Sequence, residues 1–183
     1  IYEYAIARFF KDFLRKDFVD GFKRGSKYSR KDVLRILNWN QNQNAQNIGG
    51  YKVSPGGQNC PIFVNYHKEE TISDTTKYED KFINPSQFVY MSKSKRTTNS
   101  PDVIAIRNQA ESEIRLPLFV KKSNDEGREF YYLGELTPIP ETFIDSQMPI
   151  ENGSSVSVVK MEFLLDKPVE PNLYKYILTD ATE

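Results

Sequence analysis

The chain is poor in the residues that build metal and thiol sites, with one cysteine, Cys60, and one histidine, His67, among 183 residues. A single cysteine excludes an intrachain disulfide and a zinc site made of several cysteines. The sequence does not group carboxylates with His67 as a histidine-based metal site would need. Cys60 and His67 are the sole thiol–imidazole pair, and on one predicted strand they would point to opposite faces. We therefore expect no catalytic residue, metal or cofactor in this chain.

Net charge and long apolar runs are also absent. The chain has 25 Lys and Arg against 25 Asp and Glu, which excludes a uniformly basic surface but leaves local clusters open. It has no signal peptide and no apolar run long enough to span a bilayer, so we expect a cytoplasmic protein without membrane contacts. The sequence starts at Ile1 directly in a helical pattern. We expect it to be a fragment of a longer protein.

Apolar periodicity predicts two helices followed by strands. The first amphipathic helix is predicted from residue 2 to about 20, and Ser29 with Asp32 predicts a capping box for the second. From Gly49 on, short segments rich in β-branched and aromatic residues predict strands. These segments are Tyr51–Ser54, Cys60–Tyr66, Lys77–Phe82, Gln87–Ser92, Arg115–Lys121, Glu129–Thr137 and Val156–Leu165. Residues 102–109 fit a strand or a helical turn.

This order of elements predicts an α+β fold, with N-terminal helices followed by a curled, mostly antiparallel, β-barrel-like sheet. The strands on either side of residues 124–127 are predicted to form a hairpin. The expected organisation is a helical connector over residues 1–24 and one domain over residues 25–183.

Two tyrosines, Tyr78 and Tyr90, lie on neighbouring predicted strands. A turn between those strands could bring their rings face to face, with Asp80 between them. Two stacking faces and one acceptor suit a flat polar ring such as an extruded nucleobase. Ser92 or Tyr66 could complete this pocket. The alternative is that both tyrosines are core residues of the sheet.

A loop of cations and hydroxyls follows Tyr90 immediately and could hold backbone phosphates while a base occupies the pocket. A second phosphate site is predicted at the start of the second helix, where free N–H groups favour anions. The alternatives are a charged surface turn and an ordinary capped helix. The candidate DNA-backbone residues are Arg30, His67, Lys68, Lys93, Lys95 and Arg96.

Four blocks occur in the order of one known family: Tyr28–Leu34, Pro61–Lys68, Tyr78–Phe82 and Leu118–Lys122. They resemble the C-terminal domain of unknown function, of the DUF3427 type, in modification-dependent (Type IV) bacterial restriction endonucleases, and the resemblance covers roughly residues 22–177. It implies a domain that reads 5-methylcytosine or 5-hydroxymethylcytosine in double-stranded DNA. ATP hydrolysis and cleavage would belong to upstream helicase and nuclease domains of the same chain. Residues 1–24 would connect to the helicase module, and the full-length protein could form a homodimer.

The segment Tyr78-Glu79-Asp80 with Phe88-Val89-Tyr90 is similar to the pocket of SET-and-RING-associated (SRA) domains. This resemblance implies an SRA/PUA-like sheet in which Tyr78 and Tyr90 sandwich an extruded methylcytosine and Asp80 accepts from its exocyclic amine. The glycine-rich stretch that follows the second tyrosine in that family is Ser92-Lys93-Ser94-Lys95 here.

Two other functions remain open from the sequence. One is a protein-interaction or dimerisation domain of a helicase–nuclease without base readout, which docks through its Phe-rich first helix. The other is a cryptic metal nuclease built on Asp102, Glu113 and Arg115, although the lysine that such sites use is absent.

Overall fold

The computed structural model of the chain describes residues 2–13, 18–40, 44–67, 80–150 and 153–179. Its helices are α1 (Tyr2–Phe13), α2 (Arg30–Ile36), α3 (Pro101–Arg107), α4 (Gln109–Ser112) and α5 (Pro171–Leu178). Its strands are β1 (Phe18–Val19), β2 (Phe22–Lys23), β3 (Lys27–Ser29), β4 (Ile62–Asn65), β5 (Lys81–Asn84), β6 (Gln87–Met91), β7 (Pro117–Lys121), β8 (Glu129–Pro138), β9 (Ile144–Pro149) and β10 (Ser155–Leu165). None of the helices described is long and apolar enough to cross a membrane.

Eight strands form one curled sheet, a half-barrel with the order β4-β7-β8-β10-β6-β5, in which β3 also pairs with β8 and β9 with β10. Strands β4 and β7 are parallel, and the other pairs of this sheet are antiparallel. The predicted α+β fold with a mostly antiparallel, barrel-like sheet is therefore confirmed. The hairpin predicted across residues 124–127 is the β7–β8 pair.

An aromatic contact joins the two ends of the sheet. Tyr66, just after β4, stacks on Phe82 of β5 with ring centroids 5.9 Å apart. Tyr174 of α5 meets Phe82 edge to face at 5.4 Å. Edge strands expose unpaired backbone groups, so a covering contact and a helix protect them from pairing with other chains.

Side chains of β4 alternate between two hydrophobic clusters, because successive residues of a strand point to opposite faces. Ile62 and Val64 belong to the main core, which includes residues of α3 and α5. Phe63 belongs to a second cluster with Phe119 and Phe130, and α2 covers that cluster with Val33 and Leu34. Burial on both faces of the sheet explains the nearly continuous apolar run of β4.

The predicted start of α2 is confirmed. The hydroxyl of Ser29 accepts from the backbone N–H of Asp32 at 3.2 Å, and the carboxylate of Asp32 accepts from the backbone N–H of Ser29 at 3.3 Å. After α2 ends, the indole of Trp39 donates to Asn59 at 2.6 Å and is buried. This bond ties the segment after α2 to the loop before β4.

The first predicted helix is too long. Helix α1 ends at Phe13, and β1 and β2 form a hairpin whose turn is Asp20-Gly21. Both turn residues have positive φ, 43° and 92°, a conformation that glycine adopts without steric cost. The sequence predicts a longer helix because Phe18 and Phe22 happen to continue the helical spacing of apolar residues beyond Phe13.

Two other boundaries differ from the prediction, and one assignment that the sequence left open is helical. Only Tyr51 of the predicted strand Tyr51–Ser54 pairs, in an isolated bridge with Ile62. Residues 102–109 are helical rather than extended, in α3 and the start of α4. The strand predicted over Lys77–Phe82 is observed as Lys81–Asn84, and its first residues lie outside the described part of the chain.

Candidate nucleic-acid interface

A groove of about 990 Å³ lies between α2 with the segment that follows it and the β7–β8 hairpin. The cationic side chains that line it are Arg30, Lys31, Arg35, Lys121 and Arg128. Among the described residues, no carboxylate side chain lines this groove. A chain with no net charge thus concentrates positive charge on one concave surface.

Helix α2 supplies the exposed cations on one wall. Lys31 and Arg35 are four residues apart, so they lie on the same side of the helix, and both are exposed. Like charges at this spacing disfavour the helix by a few tenths of a kcal/mol, roughly 0.2–0.5. Arg128, exposed after the hairpin turn, supplies the opposite wall. This arrangement would stabilise a bound anion rather than the fold.

The guanidinium of Arg30 is held at the floor of the groove. Its central carbon lies 5.1 Å from the ring centroid of Phe63 and 4.9 Å from that of Phe130. Its Nη2 donates to the carbonyl of Gly49 at 3.2 Å. Burial lowers the pKa of Arg30, and its Nε is buried without a hydrogen-bond partner in the described structure. The side chain is therefore fixed in place and partly desolvated.

Lys121 is a second buried cation beside the same ring. Its ammonium lies 5.2 Å from the centroid of Phe130 and donates to the carbonyl of Gly127 at 3.1 Å. Burial lowers the pKa of Lys121, and the positive charge of Arg30 lowers it further. Charges shielded from water attract an anion more strongly than exposed ones, because the local dielectric is lower.

Lys93 lies beside Gly49, the residue whose carbonyl accepts from Arg30. Its ammonium is 4.9 Å from the ring centroid of Tyr51, and a side chain at Gly49 would meet its Cε at 3.8 Å. Burial lowers the pKa of Lys93, and the nearby charge of Arg96 lowers it further. Arg30 and Lys93 were predicted separately as phosphate contacts, and the structure brings both to Gly49.

Asp102 organises the neighbouring loop. It accepts from Nε of Arg96 at 2.8 Å and from the hydroxyl of Tyr51 at 2.9 Å. Burial opposes ionisation of Asp102, but these hydrogen bonds outweigh it and lower its pKa. Lys95, at the exposed tip of this loop, has a positive φ of 62°. We call Lys93, Lys95 and Arg96 the basic loop.

Tyr90 does not face an open pocket, and that part of the predicted base site is wrong. Its side chain is 4% exposed and belongs to the main core. Its ring stacks on Phe88 at 6.4 Å and meets Tyr51 edge to face at 6.0 Å. Strand β6 lies inside the sheet, and Met91 on the same strand is buried in a third cluster. Tyr90 is thus a core residue, as the alternative interpretation held.

Two more predicted pocket residues bond to the sheet backbone. The hydroxyl of Ser92 is buried, accepts from the N–H of Val159 at 2.8 Å and donates to the carbonyl of Lys93 at 3.0 Å. A carboxylate oxygen of Asp80 accepts from the N–H of Met91 at 2.9 Å, which extends the pairing of β5 with β6. Both side chains support strand β6.

The remaining predicted site residues lie elsewhere or outside the described chain. Tyr66 is half-buried against Phe82, and burial raises its pKa. His67 donates from Nε2 to the carbonyl of Ile177 at 2.8 Å and so fixes the end of α5 rather than joining the basic loop. Tyr78 and Lys68 lie outside the described residues.

The acidic residues considered for a nuclease are not grouped as a metal site. Arg115 pairs with Glu135 at 2.7 Å, whereas Asp102 pairs with Arg96. Within the described ranges, no group of three or more His, Cys, Asp or Glu side chains is placed to hold a metal ion.

Sequence reasoning missed three cations of the groove, Arg35, Lys121 and Arg128, and its amide side chains at Asn40, Asn44 and Gln46. The spacing of Lys31 and Arg35 on a predicted helix was an available signal. Lys121 and Arg128 are far from α2 in sequence, and only the packing of α2 on the β7–β8 hairpin brings them to it.

Comparisons with known proteins agree with this architecture. A family model described as Domain of unknown function (DUF3427) matches residues 22–177. The fold is similar to a solved structure named DNA modification-dependent restriction endonuclease AspBHI, with a TM-score of 0.53 and 14% sequence identity. The similarity covers 89% of this chain and 46% of that one, so the chain spans less than half of its neighbour's length. No curated protein matches the chain.

Proposed function

The chain belongs to the DUF3427 family, and we propose that it is a DNA-recognition domain of a restriction endonuclease that binds double-stranded DNA through the basic groove. The observation that carries the proposal is the set of five cations around this groove, with no carboxylate among its described lining residues. A concave surface of one sign focuses the electrostatic field and raises the local concentration of a polyanion.

The basic loop extends the surface proposed to contact DNA. Gly49 accepts from Arg30 of the groove and lies beside Lys93 of the basic loop, so the two groups of cations meet at this residue. Duplex DNA carries one negative charge per roughly 1.7 Å of its axis. A surface of this extent therefore meets several phosphates at once, and its affinity will depend steeply on salt.

The finer part of the proposal is that the domain reads 5-methylcytosine or 5-hydroxymethylcytosine in an extruded base. The fold similarity to a protein named as modification-dependent supports this class of target. Extrusion costs a few kcal/mol, and stacking of about 1–3 kcal/mol per contact could offset it. Burial of one methyl group adds about 0.8 kcal/mol, so we expect roughly fourfold preference for methylated over plain cytosine.

In this proposal the domain supplies recognition only. DNA translocation and cleavage would be carried out by helicase and nuclease domains of a longer protein, and that full-length protein would form a homodimer. The chain spans 46% of its structural neighbour, which leaves room for such domains in a protein of that length.

Neutralisation of the exposed groove cations tests the proposal. The triple variant Lys31→Gln/Arg35→Gln/Arg128→Gln removes charges that are exposed, so the fold should be unaffected. Fluorescence anisotropy with a labelled duplex measures the slope of log affinity against log salt concentration, and the magnitude of this slope should fall by about 3 in the triple variant. Binding at physiological salt should be weaker by a factor on the order of 100.

A matched control removes the same charge elsewhere. Lys81, Lys167 and Lys175 are exposed and do not line the groove. Their replacement by glutamine should leave the affinity and salt slope close to those of wild type. Equal losses in the two triple variants would mean that net charge, not the groove, governs binding, and the proposal would be rejected.

A second candidate function has one observation in its favour. Tyr2 and Ile6, one turn apart on α1, are 86% and 54% exposed. Exposed apolar side chains on one helix face suit a protein partner. This would make the chain a protein-interaction or dimerisation domain.

A further inference from the structure

Arg30 presents a flat cation whose orientation is already fixed. Its guanidinium lies over Phe63 and Phe130, and the bond from Nη2 to Gly49 sets its plane. Arg30 is half-buried and lines the groove, so the part of its guanidinium that the two rings do not cover can meet a ligand there. An immobilised planar group pays little conformational entropy when a second flat group stacks on it.

The groove around Arg30 also carries amide side chains. Asn40, Asn44 and Gln46 line it, and all three are exposed. An amide offers both donors and an acceptor, which is the chemistry that reads the edge of a nucleobase. The volume of about 990 Å³ lies within the range of roughly 300–1,000 Å³ that small-molecule sites occupy.

We propose that the groove holds the extruded nucleotide, with its base stacked on the guanidinium of Arg30 and its edge hydrogen-bonded by the groove amides. This inference rests on the proposed function, because it places the base within the same DNA-binding groove. It makes Arg30 a specificity-determining residue. The stacking surface that Tyr90 does not supply is then provided by arginine, since guanidinium planes stack on bases as aromatic rings do.

A purely structural role for Arg30 predicts different behaviour. In that case the cation only braces the cluster of Phe63 and Phe130, and its loss would change stability alone. A lysine keeps the positive charge and the attraction to the rings but has no flat surface. Arg30→Lys therefore separates stacking on a base from charge and packing.

The experiment compares two short duplexes that each carry a single-nucleotide bulge, one with a cytosine and one with an abasic residue at the bulge. A bulged nucleotide is already unpaired, so the cost of extrusion does not obscure the contact. We expect the wild-type protein to bind the cytosine bulge on the order of 10-fold more tightly than the abasic bulge. Arg30→Lys should abolish this preference and keep the salt slope, whereas Arg107→Lys, at a residue that does not line the groove, should retain both.

Each outcome decides the inference. The inference about Arg30 would be overturned if wild-type protein binds both bulges equally, or if Arg30→Lys keeps the preference. In either case, salt-dependent binding of the duplexes would leave the proposed function standing. Wild-type protein that binds no duplex would overturn both. Thermal unfolding checks the fold of Arg30→Lys; if that variant is unfolded, Gln46→Ala decides instead. Its exposed side chain can be removed without loss of stability, and an unchanged preference in Gln46→Ala would then reject the inference.

Discussion

Gly50→Ala is predicted to destabilise the protein through one atom, the hydroxyl oxygen of Tyr90. A Cβ added at Gly50 would lie well inside van der Waals contact distance of that oxygen. Its next neighbours are Cζ of Tyr90 at 3.6 Å and the carbonyl oxygen of Phe63 at 3.9 Å, which are ordinary contacts. The position of the Tyr90 ring in the core thus makes glycine necessary at residue 50.

The magnitude follows from the cost of overpacking. A group forced into a packed interior costs about 1–3 kcal/mol. Tyr90→Phe removes the clashing oxygen at a cost of about 0.5–1.5 kcal/mol for its hydrogen bonding. The double variant Gly50→Ala/Tyr90→Phe should therefore be about as stable as Tyr90→Phe alone, and the two changes should be coupled by about 1–3 kcal/mol.

Urea denaturation of the four proteins in this cycle measures the coupling. A loss of 1 kcal/mol should also lower Tm by roughly 2–4 °C for a chain of this size. A Gly50→Ala variant as stable as wild type would contradict the reasoning, because it would mean that the Tyr90 ring leaves its place in the core readily. Tyr90 would then again be a candidate to stack on a base.

Two further predictions concern the basic loop and α1. Asp102→Asn should lower the free energy of unfolding by about 1 kcal/mol, since the bonds of Asp102 to Arg96 and Tyr51 are partly screened by solvent. Folding lowers the pKa of this carboxyl from its ordinary value of 3.8. Urea titrations should therefore show the full stability difference above pH 5 and a decreasing difference as the pH falls through the lowered pKa. If α1 is an interface, sedimentation should show a dimer that Tyr2→Ser/Ile6→Ser converts to monomer; a monomeric wild type would reject self-association through α1.

The local features of the fold could be predicted from the sequence. The capping box at Ser29 and Asp32 and the hairpin across residues 124–127 depend on residues close in the chain, and both are observed. Strand β9 was missed because most of its side chains are exposed and half of them are polar, so it has no alternating apolar pattern. Its hydrogen bonds to β10 are a tertiary feature.

The candidate site was predicted only in part, because its residues come from distant segments. The pattern around Tyr90 fitted both a pocket and a core, and the burial of both faces of β6 distinguishes them. The basic residues Arg30 and Lys93 were identified, but their common neighbour, Gly49, depends on the path of the chain before β4. The opposite wall of the groove, with Lys121 and Arg128, depends on how α2 packs on the hairpin.

The central claim is that DNA occupies the basic groove, and the fluorescence of a single natural tryptophan can test it. Trp39 is the one tryptophan of the chain, it lines the groove, and the residue is 9% exposed. Titration with duplex DNA at low salt should change its emission saturably, with reversal at high salt and little change in Lys31→Gln/Arg35→Gln/Arg128→Gln. DNA that binds, as seen by anisotropy, while Trp39 emission stays constant in wild type would place the nucleic acid elsewhere and contradict the claim.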